Sequence, residues 1–369
     1  MRTVLSVVGA CVLGACALGG DPNPAHEWTP AKSGGVCSAY INAPPSHGSL
    51  AWIRAAPTRQ IRGTWGAGVL QAGCADARGG VLWRLEGTEK GEGLGWSVAG
   101  LQDINDDGWG EVAVGTPHAG RAEDHQRGSV RLLSGRSGAM IWRTDGEAEF
   151  DQLGVCVARL ADWDGDGVVE VLTCAAGEGS NEPRGSGTVV VLSGRTGARI
   201  WQREISTESD GPGRSACASD DLDGDGREDI VFGVSSGRAT GCVHVLGSRS
   251  GEVIWRVDGR ADGSALGEQV ARTCDFDGDG VRDVLATAPW EGEGGELYLL
   301  SGADGSSLKT LHGRAGEYLG RFLYEVPDCD GDGIPEVGVS FDTDNAPRVR
   351  VFYGGSLTVM GEFPFSRVP

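Results

Sequence analysis

DINDDGWGE at residues 103–111 returns along this 369-residue chain as DWDGDGVVE at 162–170, DLDGDGRED at 221–229, DFDGDGVRD at 275–283 and DCDGDGIPE at 328–336. The copies start 53 to 59 residues apart, and their flanks keep step. Eight residues before each leading Asp stands a glycine (Gly95, Gly154, Gly213, Gly267, Gly320), preceded by Leu in four copies and by Pro212 in the third. Twenty residues before it stand Trp83, Trp142, Trp201 and Trp255, with Leu308 in the fifth copy. Fixed offsets over such a period are the mark of a repeat architecture, in which each unit buries its faces only by stacking on its neighbours.

Each period reads as four short strands. In the second, residues 155–160 lead into the acidic loop, 170–174 follow it, and 188–192 and 198–201 flank the turn SGRTG at 193–197. Short runs rich in Val, Leu, Ile and Trp, cut by Gly, Asp and Ser, indicate all-β structure. Four-stranded units stacked around an axis make a β-propeller. Residues 36–90 lack the acidic loop, but Val69-Leu70 and Val81-Leu82-Trp83 match the last two strands of a unit. Six four-stranded blades are therefore expected, five with an acidic loop and one degenerate. A five-bladed ring with an N-terminal extension is the alternative. The propeller would span 36–369, with the degenerate blade at 36–90 and repeats at about 91–147, 148–206, 207–261, 262–315 and 316–369.

The formal net charge of −20 disfavours nucleic acid, because phosphate recognition needs a surplus of Lys and Arg. Such an acidic chain must tolerate its self-repulsion or bind cations. Residues 1–16 read as a signal peptide: Met1-Arg2, an apolar run over 3–13, then small residues. Leu13-Gly14-Ala15-Cys16 resembles a bacterial lipobox in which Cys16 is lipidated, and Ala17 after it suits an outer-membrane or surface destination. Ordinary cleavage and release is the alternative. Residues 17–35 would be a tether, and a lipid anchor the one membrane contact. Eight cysteines lie beyond this region: Cys37, Cys74, Cys156, Cys174, Cys217, Cys242, Cys274 and Cys329. They show no zinc spacing, and in an oxidising compartment structural bridges are expected. Cys156 and Cys174, on the strands flanking one acidic loop, are a candidate cross-strand disulfide.

The acidic loops carry the chemistry. Calcium takes six to eight oxygen ligands at roughly 2.3–2.6 Å from a flexible loop. In D-x-[DN]-x-D-G-x-x-[DE], side chains at positions 1, 3 and 5 converge, the glycine at 6 allows the turn, position 7 offers its carbonyl, and position 9 closes the shell. The candidate ligands are Asp103, Asn105, Asp107, Trp109 and Glu111; Asp162, Asp164, Asp166, Val168 and Glu170; and Asp221, Asp223, Asp225, Arg227 and Asp229. The last two loops supply Asp275, Asp277, Asp279, Val281 and Asp283, and Asp328, Asp330, Asp332, Ile334 and Glu336. Trp109, Val168, Arg227, Val281 and Ile334 would act through backbone carbonyls. Up to five structural calcium ions would halve the formal charge. Magnesium, which keeps strict octahedral geometry and its waters, fits less well.

With these residues in place, the stretch 94–117, with its LG, SVA, DINDDG and EVAVGTP segments, resembles an FG-GAP repeat of the kind found in the integrin α-subunit propeller. Ala286-Thr287-Ala288-Pro289 is close to the GAP signature itself. The resemblance, over roughly 90–340, implies calcium in the hairpin between the first and second strands of a blade, with ligand binding on the opposite rim. The chain departs from that family in having Leu or Pro for the Phe of FG, and an acidic loop in five units.

Other motifs are weaker. The tryptophan series is expected to pack between blades; its setting in 193–201 resembles the docking motif of quinoprotein propellers, but with Ser193 for the usual Asp. Gly233-Val234-Ser235-Ser236-Gly237 matches G-x-S-x-G without the helix a nucleophile elbow requires. His118 and His125 fall in the loop 116–128 and are expected to be exposed. No non-repeated cluster of acid, base or nucleophile is evident, so an enzyme is not expected. The sequence favours a calcium-loaded extracellular or cell-surface binding module for a protein or glycan. An extracellular hydrolase or lyase, or an envelope scaffold without ligand, are the alternatives.

Overall fold

The structure, a computed structural model, describes residues 50–56, 69–74, 81–88, 92–120, 126–177, 187–205, 213–235, 240–260, 263–326, 328–343 and 346–364. The signal segment with Cys16, the tether, Cys37 and His125 lie outside them. No helix among the described residues is long and apolar enough to cross a membrane.

Five four-stranded antiparallel sheets follow one another along the chain, each with its strands in sequence order. Blade 1 holds β4 (Ser97–Gly100), β5 (Val112–Thr116), β6 (Ser129–Leu133) and β7 (Met140–Asp145). Blade 2 holds β8 (Leu153–Leu160), β9 (Glu170–Ala175), β10 (Gly187–Leu192) and β11 (Arg199–Ile205). Blade 3 holds β12 (Gly213–Ala218), β13 (Ile230–Val234), β14 (Cys242–Leu246) and β15 (Val253–Asp258). Blade 4 holds β16 (Val270–Arg272), β17 (Val284–Ala288), β18 (Glu296–Leu300) and β19 (Ser307–His312). Blade 5 holds β20 (Leu323–Val326), β21 (Glu336–Thr343), β22 (Ala346–Phe352) and β23 (Val359–Pro364).

The expected six four-stranded blades are corrected to five, the alternative count. Upstream of blade 1, β1 (Leu50–Ala56), β2 (Val69–Cys74) and β3 (Val81–Glu86) form a sheet of three strands. The pattern that suggested a sixth blade is the β2–β3 hairpin, which is real. The segment carries no acidic hairpin loop, and among the described residues one strand, β1, precedes that hairpin.

Strand composition follows from position in the stack. The second strands β5, β9, β13 and β17 are buried at every residue, because neighbouring blades cover both their faces, and they read as largely apolar runs. The outermost strands β7 and β15 bury a single residue each, Trp142 and Trp255. The larger hydrophobic clusters form between blades, while a small one, Val326, Val349 and Val351, lies within blade 5. Leu172 and Val191 of blade 2 pack with Ile230 and Phe232 of blade 3, and Leu285 and Leu297 of blade 4 with Val339 and Phe341 of blade 5.

The repeated tryptophans and glycines are the joints of this stack. The indole N–H of Trp142 donates to the Gly194 carbonyl of the next blade at 2.8 Å, and Trp255 does the same to Gly302. Trp83 of the three-stranded sheet donates to Gly135 of blade 1, also at 2.8 Å. Each accepting glycine sits in the turn between third and fourth strands. Gly197 of that turn has φ +73°, and a Cβ there would lie 2.7 Å from the Trp142 ring. Glycine is therefore required for both conformation and space. Trp201 packs edge-on to Trp163 of its own blade, ring centroids 6.0 Å apart.

Candidate metal centres

Each acidic loop links the first and second strands of a blade, so all five lie at the same end of their sheets as the turns between third and fourth strands. The loop is wound by its own carboxylates. The position 1 Asp accepts from the N–H of the position 6 glycine in every copy: Asp103 from Gly108 at 2.7 Å, Asp162 from Gly167 at 2.8 Å, Asp221 from Gly226 at 2.8 Å, Asp275 from Gly280 at 2.9 Å and Asp328 from Gly333 at 2.9 Å. Those glycines have φ between +84° and +92°, a region that side-chain-bearing residues rarely enter. Position 3 accepts from the position 5 N–H, and position 5 from the position 7 N–H, as in Asp223–Asp225–Arg227 at 3.1 and 2.9 Å. The three side chains are thus turned inward by the backbone.

The result is a knot of hard oxygen atoms. Carboxylate oxygens of Asp103, Asp107 and Glu111 lie within 4.8 Å of one another, as do those of Asp162, Asp164 and Glu170. The same holds for Asp221, Asp223 and Asp225, for Asp275, Asp277 and Asp279, and for Asp328, Asp330 and Asp332. The position 1, 3 and 5 side chains are largely exposed, so a cation reaches them from solvent. This donor set fits a hard cation.

Position 9 is different in kind. Glu111, Glu170, Asp229, Asp283 and Glu336 are all buried, at 0% or 1% exposure. Each accepts from the N–H of position 2, as Glu111 does from Ile104 at 2.7 Å and Asp229 from Leu222 at 2.8 Å. In three blades the second oxygen accepts from the turn between third and fourth strands: Glu170 from Gly194 at 2.9 Å, Asp229 from Ser248 at 2.8 Å and Asp283 from Gly302 at 3.1 Å. This residue braces the acidic loop against the tryptophan-docking turn, a role the spacing alone does not reveal.

Electrostatics divide the loop. Burial, together with the Asp103 and Asp107 charges, pushes the Glu111 carboxyl up to about 7. Burial likewise raises Glu170, Asp229, Asp283 and Glu336 above the ordinary carboxylate range. In contrast, backbone N–H donors, led by Gly280, lower Asp275, and those of Gly331 and Gly333 lower Asp328. In these two loops position 1 is held charged, whereas position 9 resists charge until something positive arrives. The turn between third and fourth strands also reaches position 5: Arg195 meets Asp166 at 2.9 Å, and the Ser134 and Ser248 hydroxyls donate to Asp107 and Asp225 at 3.1 and 2.9 Å.

Other sequence candidates separate clearly. Cys156 and Cys174 are directly opposed on β8 and β9 as buried thiols, sulfur to sulfur 3.3 Å. Burial pushes the Cys217 thiol up to about 12, against the Arg272 charge, so it is a poor nucleophile. Ser235 is buried at the end of β13 and hydrogen-bonds the Glu268 carboxylate. His118 is not exposed as expected; it is buried, edge-on to Trp96 with ring centroids 5.2 Å apart. Trp290 is 39% exposed on the turn after β17.

Residues 94–133 and 266–300, in blades 1 and 4, match the FG-GAP repeat model. Integrin alpha-4 of Xenopus laevis is 32% identical over 156 residues, 37% of this chain and 15% of that protein. Integrin alpha-6 of Gallus gallus is 28% identical over 206 residues, 50% of this chain and 19% of that protein. Integrin alpha-3 of Cricetulus griseus is 25% identical over 140 residues, 34% and 13% of the two chains. The chain thus spans less than a fifth of the length of these relatives. It is a β-propeller that carries FG-GAP repeats, with an acidic hairpin loop in each of five blades.

Proposed function

We propose that this protein is a calcium-stabilised binding module that works outside the cell or on its surface. One Ca²⁺ would sit in each acidic loop, held by side chains at positions 1, 3 and 5, by the position 7 carbonyl and by the buried carboxylate at position 9. The observation that carries this reading is the set of five oxygen clusters at equivalent places in five blades. The ion would neutralise the position 9 carboxylate where it braces the loop against the docking turn. Its binding free energy then adds directly to folding stability.

Recognition would fall to the opposite end of the blades, where the loops between second and third strands vary in sequence: 116–128, 175–187, 234–241, 287–295 and 341–347. The likeness to integrin α propellers supports a protein or glycan ligand and a non-catalytic role. The signal-like residues 1–16, with Cys16 as lipidation site, support export and anchoring to a bacterial envelope. A binding screen of the chain against envelope glycans, matrix proteins and surface proteins, with calcium and with EDTA, tests the reading. Saturable binding that EDTA abolishes, without turnover, is expected. Turnover of a bound glycan or protein would contradict it.

A further inference from the structure

Among the described residues, buried carboxylates at the end of the blades away from the acidic loops are neutralised by arginine, with one exception. In blade 1, Glu92, fully buried, pairs with Arg131 of the third strand at 2.9 Å. In blade 5, Glu317, 3% exposed, pairs with Arg350, again on the third strand, at 2.9 Å. Arg131 lies opposite Val114 and Arg350 opposite Val339 in the sheet register; the matching place in blade 4, opposite Ala286, is Tyr298. Blade 4 nevertheless buries two carboxylates there. Glu291 lies on the turn after β17, and Glu296 two residues before Tyr298 on β18, at 5% and 8% exposure.

The cluster is electrically incomplete. Glu291 Oε2, Glu296 Oε2 and the phenol oxygen of Tyr298, a residue 3% exposed, are all buried without a hydrogen bond of ordinary geometry. Both carboxylates are nonetheless close enough to the phenol to push its pKa up, after burial itself. Glu296 has help from the surface: His312 Nδ1 at 2.9 Å on its Oε1, and the Arg260 guanidinium 3.6 Å from its Oε2. Arg260 also lies over the Tyr298 ring, 5.1 Å from its centroid. Both helpers are more than half exposed; the Arg260 charge also acts on Glu291, but burial outweighs it and holds that carboxyl above its ordinary range. Buried carboxylates are as a rule paired or bound to metal, because an isolated one costs far more than a lost hydrogen bond.

We propose that Glu291, Glu296 and Tyr298 form a further cation site, at the end of blade 4 opposite its acidic loop, that takes one hard cation of the calcium class. Two carboxylates and a phenol oxygen are hard ligands. The ion supplies the positive charge that arginine supplies in blades 1 and 5. Arg260, more than half exposed, is the resident counter-charge that the ion displaces from Glu296. The site is separate from the five acidic loops, and Glu291 stands in the variable loop 287–295 at the proposed recognition end.

Equilibrium dialysis of the chain with ⁴⁵Ca²⁺ tests this against Glu291→Gln, Tyr298→Phe and Arg260→Ala. Glu291→Gln is expected to bind one ion fewer than wild type at saturation. Tyr298→Phe should need several-fold more calcium for that ion, and Arg260→Ala less. Equal stoichiometry in wild type and a folded Glu291→Gln overturns the proposal. Should Glu291→Gln fail to fold, an unchanged titration for Tyr298→Phe overturns it instead.

Discussion

Replacing Glu111 by Gln should make the metal-free protein more stable and the calcium-loaded protein less so. Glu111 is fully buried, and desolvation with the charges of Asp103 and Asp107 lifts its pKa from 4.5 to about 7. A carboxyl raised on folding holds its proton more tightly in the folded chain. Its cost is therefore nil below about pH 4.5, grows through the window up to about 7, and is complete above it. At pH 7 the shift corresponds to ~3 kcal/mol as an upper bound, and to about 1–2 kcal/mol once the water around the exposed part of the loop screens it. Glutamine carries no such charge and keeps an oxygen for the Ile104 N–H. Urea unfolding in EDTA at pH 5 and pH 7 should show the variant gaining on wild type as pH rises. In calcium the order should reverse, because the ion loses a ligand. A Glu111→Gln protein no more stable than wild type in EDTA at pH 7, and equally stabilised by calcium, would refute the reasoning.

Three further outcomes concern a joint between blades, an acidic loop and the cysteine pair of blade 2. Trp142→Phe removes the donor to the buried Gly194 carbonyl and should cost about 1–3 kcal/mol, whereas Trp290→Phe, on an exposed turn, should stay within about 0.5 kcal/mol in the same urea titrations. Gly226→Ala meets nothing within 4 Å but holds φ at +89°, so backbone strain alone should cost about 1–2 kcal/mol by thermal melts in EDTA. In an oxidising compartment, thiol–disulfide exchange with a donor disulfide should join Cys156 to Cys174, the donor leaving as two thiols that carry the two electrons and two protons. Peptide mapping should find that bond, and Cys174→Ser should cost about 3 kcal/mol by closing no loop.

Much of this was legible because it repeats. The period gave the blade, and the strands 155–160 and 170–174 fall within β8 and β9; acidic side chains cluster in every loop, from positions 1, 3 and 5 in blades 3, 4 and 5, with position 9 in place of one of them in blades 1 and 2. The tryptophan offset anticipated packing between blades. Three things were not legible. The count of six failed because one hairpin, β2–β3, looks the same in a four-stranded blade and in a three-stranded sheet. The bracing role of position 9 depends on a turn some twenty residues later, such as Gly194 for Glu170. The Glu291, Glu296 and Tyr298 cluster stayed hidden because its members keep no repeat spacing. The signal for it is the missing arginine at Tyr298, which shows only once the strands are in register.

The claim on which all else rests is that the five acidic loops hold calcium. Long-wavelength anomalous diffraction from crystals grown in calcium tests it directly. The account predicts a peak in every loop, each bounded by the oxygens of positions 1, 3 and 5, the position 7 carbonyl and the position 9 carboxylate. Loops wound by their own N–H donors as they are here, with no anomalous peak among those oxygens, would contradict it.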